Sequence, residues 1–214
     1  MSRSADWYFD FISPFAYLQF LQFEKLPPDL KVNLKPVLFA GLLGHWDQKG
    51  PAEIPAKRIQ TYRTCHWLAT QMGVAYKTPP AHPFNPLVPL RLAIALGVTR
   101  DAVAAIYDHI WGQGNDGQSA DSFRALASAH GIPNLEAAIG EPAVKGQLRA
   151  NTEEAIARGI FGVPTFLVDD QLFWGNDATG MLLDYLADPT AFTEGEMARI
   201  SDLPIATQRK QSRL

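Results

Sequence analysis

The segments with strand character lie near the two ends of this chain, and the long stretch between them carries helical signals alone. Near the N-terminus, the aromatic segment 6–12 favours a strand. Ser13-Pro14 follows and favours a helix start, because serine is a good N-cap and proline fits the first helical turn. We expect this helix to run toward Leu26 and a second strand to cover Val32–Leu38. Strand, helix and strand in this order form a βαβ unit with parallel strands.

The middle of the chain, residues 55–159, is predicted to be helical throughout. Each predicted helix begins at a polar cap or a proline, or ends at a glycine. The predicted helices are Pro55–Met72, Leu87–Leu96, Arg100–Trp111, Ala120–His130 and a last one from about Pro142 to Gly159. We assign Trp67, Leu68 and Met72 to the core.

The C-terminal part returns to strand character. Thr165–Val168 and Gln171–Trp174 are predicted strands joined by a two-residue turn, and a final helix opens after Gly175 and reaches Leu186. An antiparallel hairpin and a helix that follow a βαβ unit are the plan of the thioredoxin-like α/β fold, here with a large all-helical insertion. We predict a discontinuous thioredoxin-like domain, an insertion domain and a C-terminal tail at residues 1–40 with 160–188, 41–159 and 189–214 respectively.

Charge and hydropathy exclude several classes of partner. The formal net charge is only −3, and the one basic run, residues 209–213, is short, so we expect a solvated terminus and no nucleic-acid partner. No window approaches the roughly 18 apolar residues of a membrane helix, and the first residues lack a secretory pattern. We therefore expect a cytoplasmic protein without a membrane partner.

Cysteine and histidine usage restricts the chemistry further. Cys65 is the single cysteine, so the chain can form neither an internal disulfide nor a redox dithiol. We expect Cys65 to be a small core residue. The five histidines have no metal-ligand spacing, so no metal site is predicted. The G-x-G-x-x-G pattern at 112–117 follows a predicted helix instead of a strand, so we interpret it as a loop.

Two short motifs indicate a site for an external thiol. Ser13 lies at the strand-to-helix junction, where its hydroxyl can donate a hydrogen bond to a thiolate supplied from outside; the alternative is a simple helix cap. Val163-Pro164 precedes a strand and suits a cis X–Pro turn. Such a turn leaves the Val163 backbone free to pair with an extended peptide, although it can also be a turn and nothing more.

A third motif, Trp174-Gly175-Asn176-Asp177, suits the charged end of a peptide. Gly175 permits a close backbone approach, and the helix start that follows favours a carboxylate. Asp177 can pair with an ammonium group. The γ-glutamyl end of glutathione carries both groups, although Asn176 or Asp177 can equally serve as an ordinary N-cap.

Taken together, three segments resemble the glutathione-dependent branch of the DsbA-like family, which contains kappa-class glutathione transferases and 2-hydroxychromene-2-carboxylate isomerases. They are residues 9–17, 161–166 and 173–177, and the resemblance extends to Leu186. It implies glutathione as cofactor, held by Ser13, Val163, Pro164, Trp174, Gly175, Asn176 and Asp177. In place of the C-x-x-C cysteines of dithiol oxidoreductases, this chain has Ser13-Pro14-Phe15-Ala16.

The resemblance also implies a reaction. A 2-hydroxychromene-2-carboxylate isomerase interconverts its substrate with trans-o-hydroxybenzylidenepyruvate by reversible addition of the thiolate, with Ser13 as the catalytic residue. His45, Lys49 and Asn85 are the candidates for binding the aromatic carboxylate. The alternatives are a kappa-class-type transferase or peroxidase and a non-catalytic DsbA-like binding protein. A homodimer is a further expectation from the resemblance.

Overall fold

The computed structural model describes residues 3–207, which contain one four-stranded mixed sheet. Its strands are β1 (Ser4–Phe9), β2 (Lys31–Pro36), β3 (Thr165–Val168) and β4 (Gln171–Trp174). They lie in the order β2-β1-β3-β4. β1 and β2 are parallel, and β3 is antiparallel to both β1 and β4. The predicted βαβ unit and the predicted C-terminal hairpin are both confirmed.

Helices pack on this sheet and fill the interval between β2 and β3. They are α1 (Pro14–Phe20), α2 (Phe39–His45), α3 (Pro55–Met72), α4 (Leu87–Ala95), α5 (Arg100–Tyr107), α6 (Ala120–Ala129), α7 (Leu135–Gly140), α8 (Pro142–Ala157), α9 (Thr179–Ala187) and α10 (Gly195–Ser201). The thioredoxin-like fold with its helical insertion is therefore confirmed. The domain boundaries given above stay a prediction.

The first helix is shorter than predicted. α1 ends at Phe20, and the chain then turns into a short 3₁₀ segment at Phe23–Lys25, so the prediction of one helix to Leu26 was wrong. Two of the apolar residues that suggested a continuous helix, Leu18 before this bend and Phe23 after it, are 0% and 5% exposed. Burial, and not helical period, explains their spacing.

An aromatic cluster forms the core beneath the sheet. Trp7 and Phe9 of β1 are fully buried and their rings stack with centroids 4.6 Å apart. Phe166 of β3 and Tyr107 of α5 pack against the Trp7 ring. Alternate residues of β1 thus bury their side chains against the helices, which fixes the register of the sheet.

Helix α3 buries only a narrow face. Cys65 and Ala69, one turn apart, are buried, and Cys65 is a core residue as predicted. Burial raises the pKa of the Cys65 thiol to about 12, so it stays protonated near neutral pH. Trp67 lies on the opposite face and is 59% exposed, so its assignment to the core was wrong.

The C-terminal segment contains structure that the sequence did not reveal. A 3₁₀ turn at Pro189–Phe192 leads to α10. The basic run at 209–213 lies outside the described residues. Among the described residues, no helix is long and apolar enough to cross a membrane.

Candidate functional site

The three motifs with a predicted role in glutathione binding lie at the same end of the sheet. β1 runs toward Phe9 and then leads into Ser13. Thr165 pairs with Tyr8 near that end of β1 and with Trp174 on its other side. The residues just before β3 and just after β4 therefore lie beside the β1-to-α1 connection.

Ser13 is the N-cap of α1. Its Oγ accepts a hydrogen bond from the Ala16 N–H at 3.2 Å, and the residue is 8% exposed. The Ser13 N–H donates to the Asp10 carbonyl at 3.1 Å. A hydroxyl that accepts in this way keeps its own proton free to donate toward a ligand. The cap and the predicted thiolate contact are thus compatible.

The predicted cis peptide bond between Val163 and Pro164 is present. Within residues 3–207, neither the N–H nor the C=O of Val163 hydrogen-bonds to another residue. The Pro164 carbonyl is engaged, since it accepts from the Gly175 N–H at 2.8 Å. Val163 therefore presents a donor and an acceptor to which the backbone of a short peptide can pair.

Trp174 covers the backbone that precedes Val163. Its ring is 54% exposed and meets the Phe161 ring edge-on, with centroids 5.1 Å apart. A Cβ at Gly162 would lie 2.5 Å from Trp174 Nε1, so only glycine permits this close approach. The exposed indole forms an aromatic wall beside the free backbone of Val163.

The segment after β4 is fixed by two glutamines, Gln19 in α1 and Gln22 just after it. Gly175 has φ 95° and its carbonyl accepts from Gln19 Nε2 at 2.8 Å. Asn176 Oδ1 accepts from Gln22 Nε2, also at 2.8 Å. The Asn176 side chain is thus engaged within the protein, whereas Asp177 is exposed. Asp177 is the member of this motif that is free to meet an ammonium group.

Gln19 links this segment to the core. Its Oε1 accepts from Trp7 Nε1 at 2.7 Å, and its Nε2 donates to Thr179 Oγ1 at 3.1 Å as well as to Gly175. Gln19 is 1% exposed, so each of its polar atoms depends on these partners. The sequence analysis did not single out either glutamine as part of the site; the available signal was two amide side chains in the otherwise apolar and aromatic stretch 14–23.

The candidates for substrate binding lie on other elements. His45 ends α2 and Lys49 follows it, and both residues are exposed. Asn85 lies two residues before α4, and its Oδ1 accepts from the Leu87 N–H at 3.1 Å, so this oxygen is engaged within its own segment. No hydrogen bond or ion pair in the described residues joins these three side chains to one another, so their common role stays a prediction.

One histidine connects the segment that holds Asn85 to the Ser13 loop. His82 Nε2 lies 2.8 Å from the Ile12 carbonyl and therefore donates to it. Its Nδ1 lies 2.9 Å from the Tyr62 hydroxyl. Burial lowers the pKa of His82, which favours the neutral ring. Histidine spacing in the sequence gave no indication of this contact.

The described residues contain one buried thiol and no cluster of metal-ligating side chains. The one thiol of the chain, Cys65, is buried in α3. Among residues 3–207, no group of three or more histidine, cysteine, aspartate or glutamate side chains is arranged to hold a metal ion.

Comparison with known proteins places this geometry in a family. Residues 5–187 match the model of the DSBA-like thioredoxin domain. The chain is 29% identical to a 2-hydroxychromene-2-carboxylate isomerase from Sphingobium xenophagum over 88% of this chain and 100% of the relative. It is 26% identical to glutathione S-transferase kappa 2 from Caenorhabditis elegans, over 85% of this chain and 91% of the relative.

A solved structure agrees with the fold. The structure of a 2-hydroxychromene-2-carboxylate isomerase superposes with a TM-score of 0.75 and 24% sequence identity, covering 90% of this chain and 100% of that one. Because the family model spans most of the chain, the protein belongs to the DSBA-like thioredoxin domain family.

Proposed function

We propose that this protein is a glutathione-dependent isomerase that interconverts 2-hydroxychromene-2-carboxylate, or a close aromatic analogue, with its ring-opened trans isomer. The observation that carries the proposal is a serine at the β1-to-α1 junction, beside a free Val163 backbone and the Trp174–Asp177 segment. The site offers groups that suit a peptide thiol and contains no thiol of its own. The isomerase and transferase names of the relatives support the same class of enzyme.

The residues at this end of the sheet fit the parts of glutathione. The Val163 N–H and C=O would pair with its peptide backbone, and the indole of Trp174 would cover it. Pro164 fixes the turn, and Gly175 allows the ligand to approach the segment after β4. Asp177 would meet the ammonium group of the γ-glutamyl end.

Ser13 would donate a hydrogen bond from Oγ to the sulfur, which stabilises the thiolate relative to the thiol. The bound thiolate would supply a nucleophile that adds to the conjugated carbon next to the aromatic ring and later leaves, after rotation about the former double bond. Holding sulfur and acceptor in line supplies several kcal/mol of the rate enhancement.

Lys49, His45 and Asn85 are proposed to bind the aromatic carboxylate. Lys49 supplies a cation for the carboxylate, and His45 and Asn85 supply hydrogen-bonding groups. The reaction needs reduced glutathione, which the cytoplasm provides, so we propose that compartment.

The test is an absorbance assay with 2-hydroxychromene-2-carboxylate, with and without catalytic amounts of glutathione. We expect turnover that requires glutathione and leaves its concentration unchanged. Absence of turnover together with absence of glutathione binding would refute the proposal.

A kappa-class-type transferase or peroxidase is the second candidate, because two relatives are named as kappa-class glutathione transferases. Consumption of glutathione in proportion to product distinguishes it from the isomerase. Binding of glutathione without turnover of any aromatic acceptor would instead indicate a non-catalytic binding protein.

A further inference from the structure

Asp10, three residues before Ser13, carries a buried carboxyl group. The residue is fully buried, and its two side-chain oxygens accept hydrogen bonds from two different segments. Oδ1 accepts from the Ile12 N–H at 3.1 Å, and Oδ2 accepts from the Phe39 N–H at 2.9 Å. The backbone carbonyl of Asp10 accepts from the Ser13 N–H at 3.1 Å.

A carboxyl group is costly to bury at this position. Within residues 3–207, Asp10 forms no ion pair, and backbone N–H groups are the hydrogen-bond donors to its side chain. Burial raises the pKa of Asp10 to about 7, against the opposing effect of those N–H groups. A neutral side chain would avoid this cost, so the presence of a carboxylate calls for an explanation.

The two segments that Asp10 joins carry the two halves of the proposed site. Ile12 immediately precedes Ser13, which is proposed to hold the glutathione sulfur. Phe39 is the first residue of α2, which ends at His45 and leads to Lys49. A single side chain therefore connects the thiol half of the site to the acceptor half.

We propose that Asp10 is a positioning residue that sets the separation between the Ser13 hydroxyl and the start of α2. It thereby aligns the glutathione sulfur with the bound acceptor. The role in alignment rests on the proposed function. The tether, by which we mean the hydrogen bonds from the Ile12 and Phe39 N–H groups to the Asp10 carboxyl, does not.

Only a side chain with two hydrogen-bond acceptors can join the Ile12 N–H to the Phe39 N–H. A carboxylate has two oxygens that each accept, whereas an asparagine of the same shape has one accepting oxygen and one donating NH₂ group. In Asp10→Asn, the NH₂ group would face either the Ile12 or the Phe39 N–H, and that contact would be lost. The variant keeps the volume of the side chain and removes one end of the tether.

The chain offers a matched control at the same helix. Thr152 of α8 accepts a hydrogen bond at Oγ1 from the Leu38 N–H at 3.0 Å, one residue before α2. Thr152→Val removes that contact and the donation from Oγ1 to the Leu148 carbonyl within α8, with little change in shape. It leaves the connection to the Ser13 loop intact. Thr152→Val weakens the start of α2 alone, whereas Asp10→Asn breaks the connection between that start and the Ser13 loop.

The first measurement is amide hydrogen exchange in the full-length protein without ligands. In Asp10→Asn we expect exchange at the Ile12 or the Phe39 amide to rise roughly tenfold or more, since a buried hydrogen bond is lost. In Thr152→Val we expect the increase to be confined to Leu38 and its helical neighbours. Unchanged exchange at both Ile12 and Phe39 in Asp10→Asn would refute the tether.

The second measurement is the steady-state kinetics of the same variants. A misalignment of about 1 Å can lower a rate by about a hundredfold, so we expect kcat of Asp10→Asn to fall roughly ten- to hundredfold. KM for glutathione should change less than about threefold, because the segments proposed to bind its backbone do not contact Asp10. Thr152→Val should keep kcat within about threefold of wild type.

These measurements distinguish the two proposals. Loss of exchange protection with a normal kcat would overturn the positioning role and leave the proposed function standing. Wild-type protein without turnover on any aromatic acceptor would overturn the proposed function, while hydrogen exchange would still decide whether Asp10 joins the two segments.

Discussion

The part of the site proposed to bind glutathione is tied to the core by hydrogen bonds, whereas the part assigned to the acceptor lies on exposed residues. Gln19 joins Trp7 to Gly175, and the Gly175 N–H extends the β3–β4 pairing to Pro164. His45 and Lys49, by contrast, are exposed at and beyond the end of a seven-residue helix. Under the proposed function, this difference would hold glutathione in a fixed pose and leave the surface that meets the acceptor free to vary.

The largest effect is expected at Ser13. Ser13→Ala removes the hydroxyl proposed to stabilise the thiolate, and loss of one such donor lowers kcat by about 10²- to 10³-fold. It also removes a helix cap, which costs about 0.5–2 kcal/mol of stability. Steady-state kinetics and thermal unfolding measure the two effects separately.

Thr99→Ala provides the control for that experiment. Thr99 caps α5 with the same geometry, accepting from the Ala102 N–H at 3.2 Å, and lies on the helical insertion. We expect a similar loss of stability with unchanged turnover. Equal turnover in Ser13→Ala and Thr99→Ala would contradict the proposed role of the hydroxyl.

Burial of the Asp10 carboxyl group should make the stability of the protein depend on pH. The pKa of Asp10 is raised to about 7, so between about pH 4 and pH 7 the folded protein retains a proton that the unfolded chain releases. The contribution of this retained proton to the free energy of unfolding is fully present below about pH 4 and is lost as pH rises toward about 7. The loss is on the order of a few kcal/mol.

Urea denaturation at several pH values, for wild type and Asp10→Asn, checks this sign. Tyr107 of α5 donates to the Asp10 carbonyl, and burial holds the pKa of its hydroxyl well above the ordinary value, so it does not titrate in this range. The variant should lack this part of the pH dependence. A pH dependence of the unfolding free energy that persists in Asp10→Asn would have to come from another group. It would contradict the role assigned to the buried carboxyl of Asp10.

A smaller effect is expected when the hydrogen bonds that Gln19 makes to the core and to the segment after β4 are removed. Gln19→Leu leaves Trp7 Nε1 buried without a partner and should cost about 1–3 kcal/mol of stability. It also releases the Gly175 carbonyl, so KM for glutathione should rise several-fold more than in Gln22→Leu, which loses the partly buried contact to Asn176. Equal KM values in the two variants would argue against the stronger role of Gln19.

A substitution at Gly162 tests the role of the Trp174 indole as an aromatic wall beside Val163. Gly162→Ala would place a methyl group against Trp174 Nε1, and we expect the displaced indole to weaken glutathione binding about three- to tenfold. Titration of intrinsic fluorescence with glutathione measures the affinity. The control is Gly146→Ala in α8, where an added Cβ meets no atom within 4 Å; this variant should bind normally and gain up to about 1 kcal/mol of stability.

The smallest effect is expected on the exposed acceptor side. Lys49→Met removes a solvated cation and should raise KM for the aromatic carboxylate about three- to tenfold, while KM for glutathione stays unchanged. Initial rates over a grid of both substrate concentrations separate the two constants. A larger change in KM for glutathione than for the acceptor would contradict the assignment of Lys49 to the acceptor side of the site.

The sequence predicted the elements that depend on local signals. Thr165–Val168, Gln171–Trp174 and Pro55–Met72 have the predicted bounds. Each is delimited by residues with strong conformational preferences, such as the proline at the start of α3 and the left-handed Gly73 at its end. The cis bond before Pro164 was predicted for the same kind of local reason.

The sequence did not reveal contacts that depend on tertiary partners. Asp10 lies in an aromatic run, and Gln19 lies on a buried helix, so nothing local indicates which N–H or C=O each one meets. Helix α2 was missed because its seven residues include Gly41 and Gly44, which are poor helix formers. It forms where Asp10 and Thr152 engage the N–H groups at its start.

The most direct test of the central claim is the pKa of the glutathione thiol when it is bound to this protein. The ultraviolet absorbance of the thiolate, followed during a pH titration of the complex, reports that pKa for wild type and for Ser13→Ala. We predict a pKa well below the roughly 8.5 of an unperturbed thiol in wild type, and a return toward that value in Ser13→Ala. A bound thiol whose pKa equals that of free glutathione in both proteins would contradict the account.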